Sequence, residues 1–339
     1  MPTIDVDTLR RTAQAILEAV GTPSDSAQAV SEALVEANLA GHDSHGVIRL
    51  MQYVTAMRQG LVKPAARATV AARHGATATV DGAWGWGQPA ARLATQTAIE
   101  LANESGVGAV TLVNGYHIGR LGEYVTTIAN AGMLGLAMCN AAPAVAPFGG
   151  SGRVLGTNPI AWAAPGGDGH GPLMLDIATS SVAEGKLRVA RARGETVAPG
   201  LIIDAEGRPS QNPDAFYDGG ALLPFGGHKG YGLSVLVELI GRGLAGADGS
   251  YNPEQRGVNG TLMIALNIAS FAPMAQFMEA AARLSGQIVS APAAANSSGV
   301  LLPGEPESRM RERRMAEGVP LPEQTWNDIQ ELAQELGIE

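Results

Sequence analysis

Between residues 75 and 300 short apolar runs alternate with glycine-rich turns and helix-patterned stretches, and that alternation leaves few architectures open. VGAVTLVN (107–114), LGLAMCN (134–140), IAWAAP (160–165) and LMLDIA (173–178) each have strand length and end on a turn former or a small residue. Interleaved with helical patterns, they predict an α/β domain over 76–304. The ends read differently. Leu9, Ala13, Ile16 and Leu17 share one helical face, and Ser24 or Ser26 is placed to cap a second helix running to about Ala40. At the other end, LPEQTWNDIQELAQEL (321–336) has Pro322 near its first position and Trp326, Ile329 and Leu332 on one stripe. The expected organisation is a helical segment over 1–75 that packs with C-terminal helices over 305–339, around the α/β domain. These terminal segments are short and have little core of their own, which implies a homodimer.

Composition removes several classes of function. The chain has 339 residues, 45% of them hydrophobic and 16% charged, enough to bury a substantial core. A net charge of -9 leaves no basic surface for phosphates, and the arginine-dense RMRERRMAEG (309–318) carries glutamates among its cations, so no nucleic acid partner is expected. The single Cys139 cannot form an internal disulfide, and MPTIDVDTLRRT lacks an apolar signal core, so the cytoplasm is the expected compartment. The most apolar run, AGMLGLAMCNAAPAVAPF (131–148), is broken by Asn140, Pro143 and Pro147, which suits a buried strand and turn and predicts no membrane span.

Three motifs carry chemistry. GHDSHG (41–46) holds two imidazoles, a carboxylate and a hydroxyl in four positions. If Asp43 or Ser44 caps a third helix, His45 lies in its first turn and Arg49 projects from the same face about 6 Å away. GWGQPA (85–90) follows the strand-like TATVDG and fits the GxGxxA dinucleotide fingerprint, yet the next strand ends in Asn114 where a ribose-binding acid belongs, so a Rossmann unit is not expected. LLPFGGHKGYGLSVLVELIGRGLAG (222–246) runs a glycine loop bearing His228 and Lys229 into an apolar helix, and freed amides, the helix dipole and the lysine would favour a phosphate. Asp176, closing LMLD, suits either ribose hydroxyls or a helix cap. A metal-dependent hydrolase using His42, His45 and His117, or a serine hydrolase using Ser44 with His117, is the distant alternative; no HExxH, CxxC or GxSxG accompanies either. No metal is expected.

GHDSHGVIRL (41–50), NGYHIGRLGEY (114–124), VAPFGG (145–150), GTNPIAWAAP (156–165), LDIATSSVAEGKLRVA (175–190), PFGGHKGYG (224–232) and LLPGEPE (301–307) together resemble the type-2 malate/L-lactate dehydrogenases over nearly the whole chain. That family includes malate, lactate, sulfolactate and ureidoglycolate dehydrogenases and cyclic ketimine reductases; HIGRLG and PFGGHKGY are most similar to its hydroxycarboxylate dehydrogenase B branch. The resemblance implies a non-Rossmann NAD(P)-binding fold, a large mixed β-sheet flanked by helices with the helical N- and C-terminal segments packed together. It implies NAD, or NADP, as cofactor, a 2-oxo or 2-hydroxy acid as substrate, and an active site between subunits of a dimer. Reduction of a Δ1-piperideine-2-carboxylate is the alternative activity within the family.

Hydride transfer to a ketone builds charge on oxygen that a positioned acid must neutralise, and histidine suits that near neutral pH. His45 is the first candidate, with Ser44 to orient its ring and Arg49 to hold the substrate carboxylate in a two-pronged hydrogen bond. His117 in NGYHIGRLG is the second. By resemblance Gly119, Arg120, Leu121, Leu175, Asp176, Ile177, His228, Asn259, Gly304 and Glu305 line the cofactor, with Lys229 beside them, and Thr157 contacts substrate. Lys186 in AEGKL reads as a solvated helix lysine.

Overall fold

The computed structural model describes residues 1–167, 169, 171–246 and 259–338. Strand β1 (Thr3–Ile4) leads into α1 (Val6–Ala19), capped by Asp5, whose carboxylate accepts the Thr8 N–H at 2.9 Å. Leu9, Ala13, Ile16 and Leu17 are all buried, as their spacing requires. Helix α2 (Ser24–Leu39) is not serine-capped: Pro23 presets the turn and the Ser24 hydroxyl donates to Glu18 at 2.6 Å. Helix α3 (Leu50–Arg58) completes the N-terminal layer.

The sheet begins at Thr69. In chain order come β2 (Thr69–His74), β3 (Thr77–Asp81), α4 (Gly87–Ser105), β4 (Val107–Val113), α5 (Leu121–Asn130), β5 (Met133–Cys139), β6 (Ile160–Ala164) and β7 (Leu173–Ile177). Helix α6 (Glu184–Ala192) follows, then a small antiparallel sheet of β8 (Ile202–Ile203), β9 (Pro209–Ser210) and β10 (Ala221–Leu222) with the short α7 (Asp214–Tyr217). Helix α8 (His228–Glu238) runs on through a wider π-helical turn to Leu244, and β11 (Thr261–Asn267) returns to the main sheet. Helices α9 (Met274–Val289), α10 (Glu305–Glu317) and α11 (Glu323–Glu335) close the chain, with β12 (Val319–Pro320) between the last two.

The main sheet has the order β2-β3-β4-β11-β5-β6-β7, and only β3 and β4 run parallel. This is a large mixed sheet, unlike the all-parallel order of a dinucleotide-binding Rossmann domain. Burial alternates along β4 and β5, the period-2 pattern of a sheet covered by helices. Alanine-rich α4 lies close on the sheet: a Cβ at Gly108 would sit 2.1 Å from the Ala98 carbonyl oxygen, so only glycine permits that approach. Ala94, Ala98 and Leu101 of α4 pack with Val80, Val110, Leu112 and Met263 in one core.

A second core joins the two ends of the chain. β1 pairs with β12, placing Thr3 opposite Pro320 and Ile4 opposite Val319. Leu9, Ile16, Leu34, Leu50 and Tyr53 pack with Leu321, Ile329 and Leu332, the last two from the predicted stripe of α11. The terminal segments therefore do bury a core, because helices from both ends share it; the sequence-based reason for a dimer does not stand. Among the described residues no helix is long and apolar enough to cross a membrane.

Candidate active site

GHDSHG does not start a regular helix. Asp43–His45 and Val47–Arg49 form two 3₁₀ turns separated by Gly46 in extended conformation, and α3 begins only at Leu50. Neither Asp43 nor Ser44 caps a helix, because the Asp43 carboxylate is drawn elsewhere: it accepts from Arg314 of α10 at 2.6 and 3.1 Å and from Asn38 at 2.6 Å. Asn38 in turn accepts the Val47 N–H at 2.9 Å, and Arg314 also donates to the Asn38 carbonyl. A Cβ at Gly46 would lie 2.1 Å from the Asn38 amide oxygen, so glycine is required there. The loop is thus clamped from α2 and α10.

The clamp aims three groups at one space. The Ser44 hydroxyl lies 3.1 Å from His45 Nδ1, and the rings of His45 and His117 stack with centroids 5.8 Å apart and planes 17° from parallel. Arg49 donates through Nε to the Ser44 carbonyl at 2.6 Å and through Nη1 to Gln52 at 2.6 Å, so it braces the same loop. His117 Nδ1 is 2.7 Å from the hydroxyl of buried Tyr53, which accepts from Gln88 Nε2 at 2.7 Å. Burial pushes His45 down to about 3, helped by the charge of Arg49. His117 is held well below its usual value, again first by burial and then by Arg49. Both imidazoles are therefore neutral at pH 7. Helix α6 leans on this loop: a Cβ at Gly185 would lie 2.7 Å from Ser44 Cβ.

A second polar group adjoins the first. Gly119, Arg120 and Leu121 lead into α5, and Asp176, on β7 beside Leu175 and Ile177, accepts the Gly122 N–H at 2.7 Å. The aspartate thus caps a helix, though it is α5 and not the helix that follows in sequence. Burial raises the Asp176 carboxyl above its usual range. Gly304, at positive φ, starts α10 against Met174 of β7, which sets Glu305 and Glu307 at the same end; His42 lies 3.6 Å from Glu307. Arg120 Nη1 is buried without a hydrogen-bond partner among the described residues. A buried guanidinium nitrogen left unbonded beside a strand-end carboxylate suits a ligand carrying both phosphate and hydroxyl groups, so the residues present fit a dinucleotide.

The other predicted residues make separate contacts. Asn259 accepts the Ile118 N–H at 3.3 Å and donates to Asn140 at 2.8 Å, so it supports the His117 loop. The Thr157 carbonyl accepts the Thr179 N–H at 2.8 Å, and the Phe225 N–H donates to the Thr179 carbonyl, which joins GTNP to the PFGGHKG loop. His228 and Lys229 are exposed at the start of α8, and His228 meets Phe148 edge-on at 6.3 Å beside a cavity of about 410 Å³. Lys186 is exposed, as read. The hydrolase alternatives find no support: His42 turns to Glu307, Ser44 bonds the neighbouring ring, and no three metal-ligating side chains converge among the described residues. Tyr53, Gln88, Arg314 and Asn38 were not foreseen. The i, i+4 step from Arg49 could have found Tyr53; the others depend on tertiary contact.

Comparison with known proteins agrees with this fold. A profile of the malate/L-lactate dehydrogenase family matches residues 4–330, and the chain belongs to that family. It is 35% identical over 329 residues to L-sulfolactate dehydrogenase of Methanocaldococcus jannaschii, covering 95% of this chain and 94% of that one. The solved structure of sulfolactate dehydrogenase from that organism is similar with a TM-score of 0.92 at 33% identity, covering 100% and 98% of the two chains. Hydroxycarboxylate dehydrogenase B of Escherichia coli K12 is 35% identical over 343 residues, covering 98% and 94%. A Δ1-piperideine-2-carboxylate reductase from Pseudomonas syringae pv. tomato is similar with a TM-score of 0.87 at 32% identity, covering 98% and 100%.

Proposed function

We propose that this protein interconverts a 2-hydroxy acid and a 2-oxo acid, using a nicotinamide dinucleotide. The observation that carries the reading is the stacked His45–His117 pair beside Arg49, in a chain of this family. Arg49 holds the substrate carboxylate, and its planar fork suits that better than a point charge. His45, steadied by Ser44, exchanges the proton on the substrate oxygen, and His117 orients that oxygen from the other side. A bound carboxylate offsets the Arg49 charge that helps keep His45 neutral, so substrate binding itself raises the affinity of His45 for the proton it must deliver.

When bound, the nicotinamide supplies the hydride that reduces the carbonyl carbon, or takes it up in the reverse direction. Arg120, Asp176, Gly119, Leu121, Leu175, Ile177, Asn259, Gly304 and Glu305 would hold the dinucleotide, with the loop of His228 and Lys229 at its phosphates. Asp176 favours the free ribose hydroxyls of NAD over the charged 2′-phosphate of NADP. Thr157 lines the substrate side. The proposed assembly is a homodimer, supported by exposed Leu233, Leu236, Leu239 and Leu244 on α8 and its extension. The proposed setting is the cytoplasm, consistent with one buried cysteine whose thiol burial pushes up to about 12.

Cyclic imine reduction is the second reading, supported by the similarity to the piperideine carboxylate reductase. One screen separates the two. NADH and NADPH are each followed by absorbance against a panel of 2-oxo acids and Δ1-piperideine-2-carboxylate. Saturable oxidation with a 2-oxo acid supports the main reading; turnover confined to the imine replaces it with the second.

A further inference from the structure

GWGQPA lies in a true strand–helix–strand unit, β3–α4–β4, but its turn is filled by protein. A Cβ at Gly87 would lie 2.1 Å from the Tyr116 carbonyl oxygen and 2.5 Å from that of His117. Glycine at 87 lets the first turn of α4 slide directly under the His117 backbone, and Trp86 is anchored by its indole N–H to Thr22 at 2.9 Å. The next residue, Gln88, is fully buried and reaches the Tyr53 hydroxyl, which reaches His117 Nδ1, each step 2.7 Å.

That chain of amide, phenol and imidazole has a direction. Gln88 Nε2–H donates to the phenol oxygen, so the phenol proton points to His117 Nδ1 and the neutral ring carries its own proton on Nε2. Gln88 Oε1, however, is buried without a hydrogen-bond partner among the described residues. A half-turn of the amide exchanges nitrogen and oxygen within the same volume. The chain then runs the other way: His117 Nδ1–H donates to Tyr53, whose proton points to Gln88 Oε1, and Nε2 is bare. The ring holds one proton in either state, and its protons exchange with water where the partly exposed ring meets solvent.

We propose that Gln88, acting through Tyr53, is a positioning residue whose amide orientation sets the tautomer of His117. With the amide nitrogen toward Tyr53, His117 offers an N–H to the carbonyl oxygen of a 2-oxo acid; with the amide oxygen toward Tyr53, it offers a bare nitrogen to the hydroxyl of a 2-hydroxy acid. GWGQPA is then the seat of His117 and not a phosphate cradle. The titratable or charged groups that face His117 are His45 and Arg49 from the two 3₁₀ turns and Tyr53 from α3, with Tyr116 its neighbour in the chain. None of these can replace the amide, because none both donates and accepts at Tyr53.

The roles given to the two substrates rest on the dehydrogenase reading, whereas the tautomer is a property of the free protein. ¹⁵N NMR of histidine-labelled protein without substrate is expected to place the His117 proton on Nε2. Gln88→Glu, once ionised, can only accept from Tyr53, so it should move the proton to Nδ1 and raise the His117 pKa by about one unit or more; Gln88→Met leaves no acceptor for the phenol proton and should lower it. The pH profile of kcat/KM should shift in opposite directions in the two variants, which loss of packing alone would not produce. Tyr53→Phe, which only deletes the hydroxyl, should abolish the tautomer preference and serves if the buried glutamate prevents folding. A wild-type proton on Nδ1, or the wild-type tautomer in all three variants, overturns the proposal. The NMR result as expected with no turnover of any 2-oxo acid would instead count against the dehydrogenase reading.

Discussion

His45 and His117 are neutral imidazoles packed ring on ring beside an arginine, and that single arrangement sets most of what the site can do. His45→Ala is expected to lower kcat by about 10²-fold or more with dinucleotide binding intact, since it removes an interaction made mainly in the transition state. Stopped-flow turnover beside a fluorescence titration of dinucleotide checks this. Near-normal kcat and pH dependence in His45→Ala, with His117→Ala inactive, would transfer the acid role to His117. Arg49→Lys should chiefly raise KM and recover little of what Arg49→Ala loses, because a point charge does not match a planar carboxylate. Stability follows from the same burial. Both histidines titrate lower in the folded chain than in the unfolded one, so the unfolded state takes up more protons below about pH 6.5. Their contribution is complete above that pH and is lost as pH falls below it, for His45 down to about 3, by at most about 1.4 kcal/mol per pH unit for each ring. Urea midpoints flat above pH 7 and falling below 6.5, with a shallower fall in His45→Phe, are the expected outcome.

At the scale of elements, the histidine loop is held by tertiary contacts more than by its own sequence. Arg314, from the arginine-dense α10, grips Asp43 and the Asn38 carbonyl, so a side chain 271 residues from Asp43 sets where His45 points. Arg314→Met is expected to cost about 1–3 kcal/mol of stability, given that Asp43 is half exposed, and to lower kcat by about tenfold or more as His45 loses its aim. Denaturant titration and steady-state kinetics read both. Gly185→Ala, whose added carbon meets Ser44, should impair kcat with little change in melting temperature. This is also where the sequence was informative and where it was not. The four strands, the buried face of α1 and the stripe of α11 were legible because each is a local period repeated against a nearby layer. The cap expected at Asp43 or Ser44 was not realised, because a local capping bond competes poorly with a two-pronged ion pair from Arg314, which no local pattern announces. Gln88 was hidden for a related reason: a glycine fingerprint reads the same whether its turn receives a phosphate or the backbone of Tyr116.

For the whole molecule, two cores meet at the site. One joins α4 and α5 to the main sheet, the other joins both ends of the chain through β1, β12, α1 and α11. His117 lies between the two, with Ile118 in the first and both Tyr116 and its partner Tyr53 in the second, while Val47 ties the His45 loop to the second, so anything that loosens one core against the other disturbs the stacked rings. Removing residues 319–339 is therefore expected to abolish activity and to unfold the N-terminal layer, as hydrogen exchange over 6–58 would report. The exposed leucines of α8 predict sedimentation as a dimer or a multiple of one, and Leu239→Glu should shift that species toward monomer. A fully active wild-type monomer at nanomolar concentration would contradict a site shared between subunits. The reaction proposed for the site is hydride exchange at the 2-carbon of an acid. It is tested most directly by supplying dinucleotide deuterated at its transferable position together with the best 2-oxo acid, and measuring deuterium in the product by mass spectrometry. One deuterium per product molecule is expected, bonded to carbon 2 of a 2-hydroxy acid, with far less product at the same substrate concentration when Arg49→Ala replaces the wild type. Product without deuterium, or none from any 2-oxo acid while the dinucleotide binds, would contradict it.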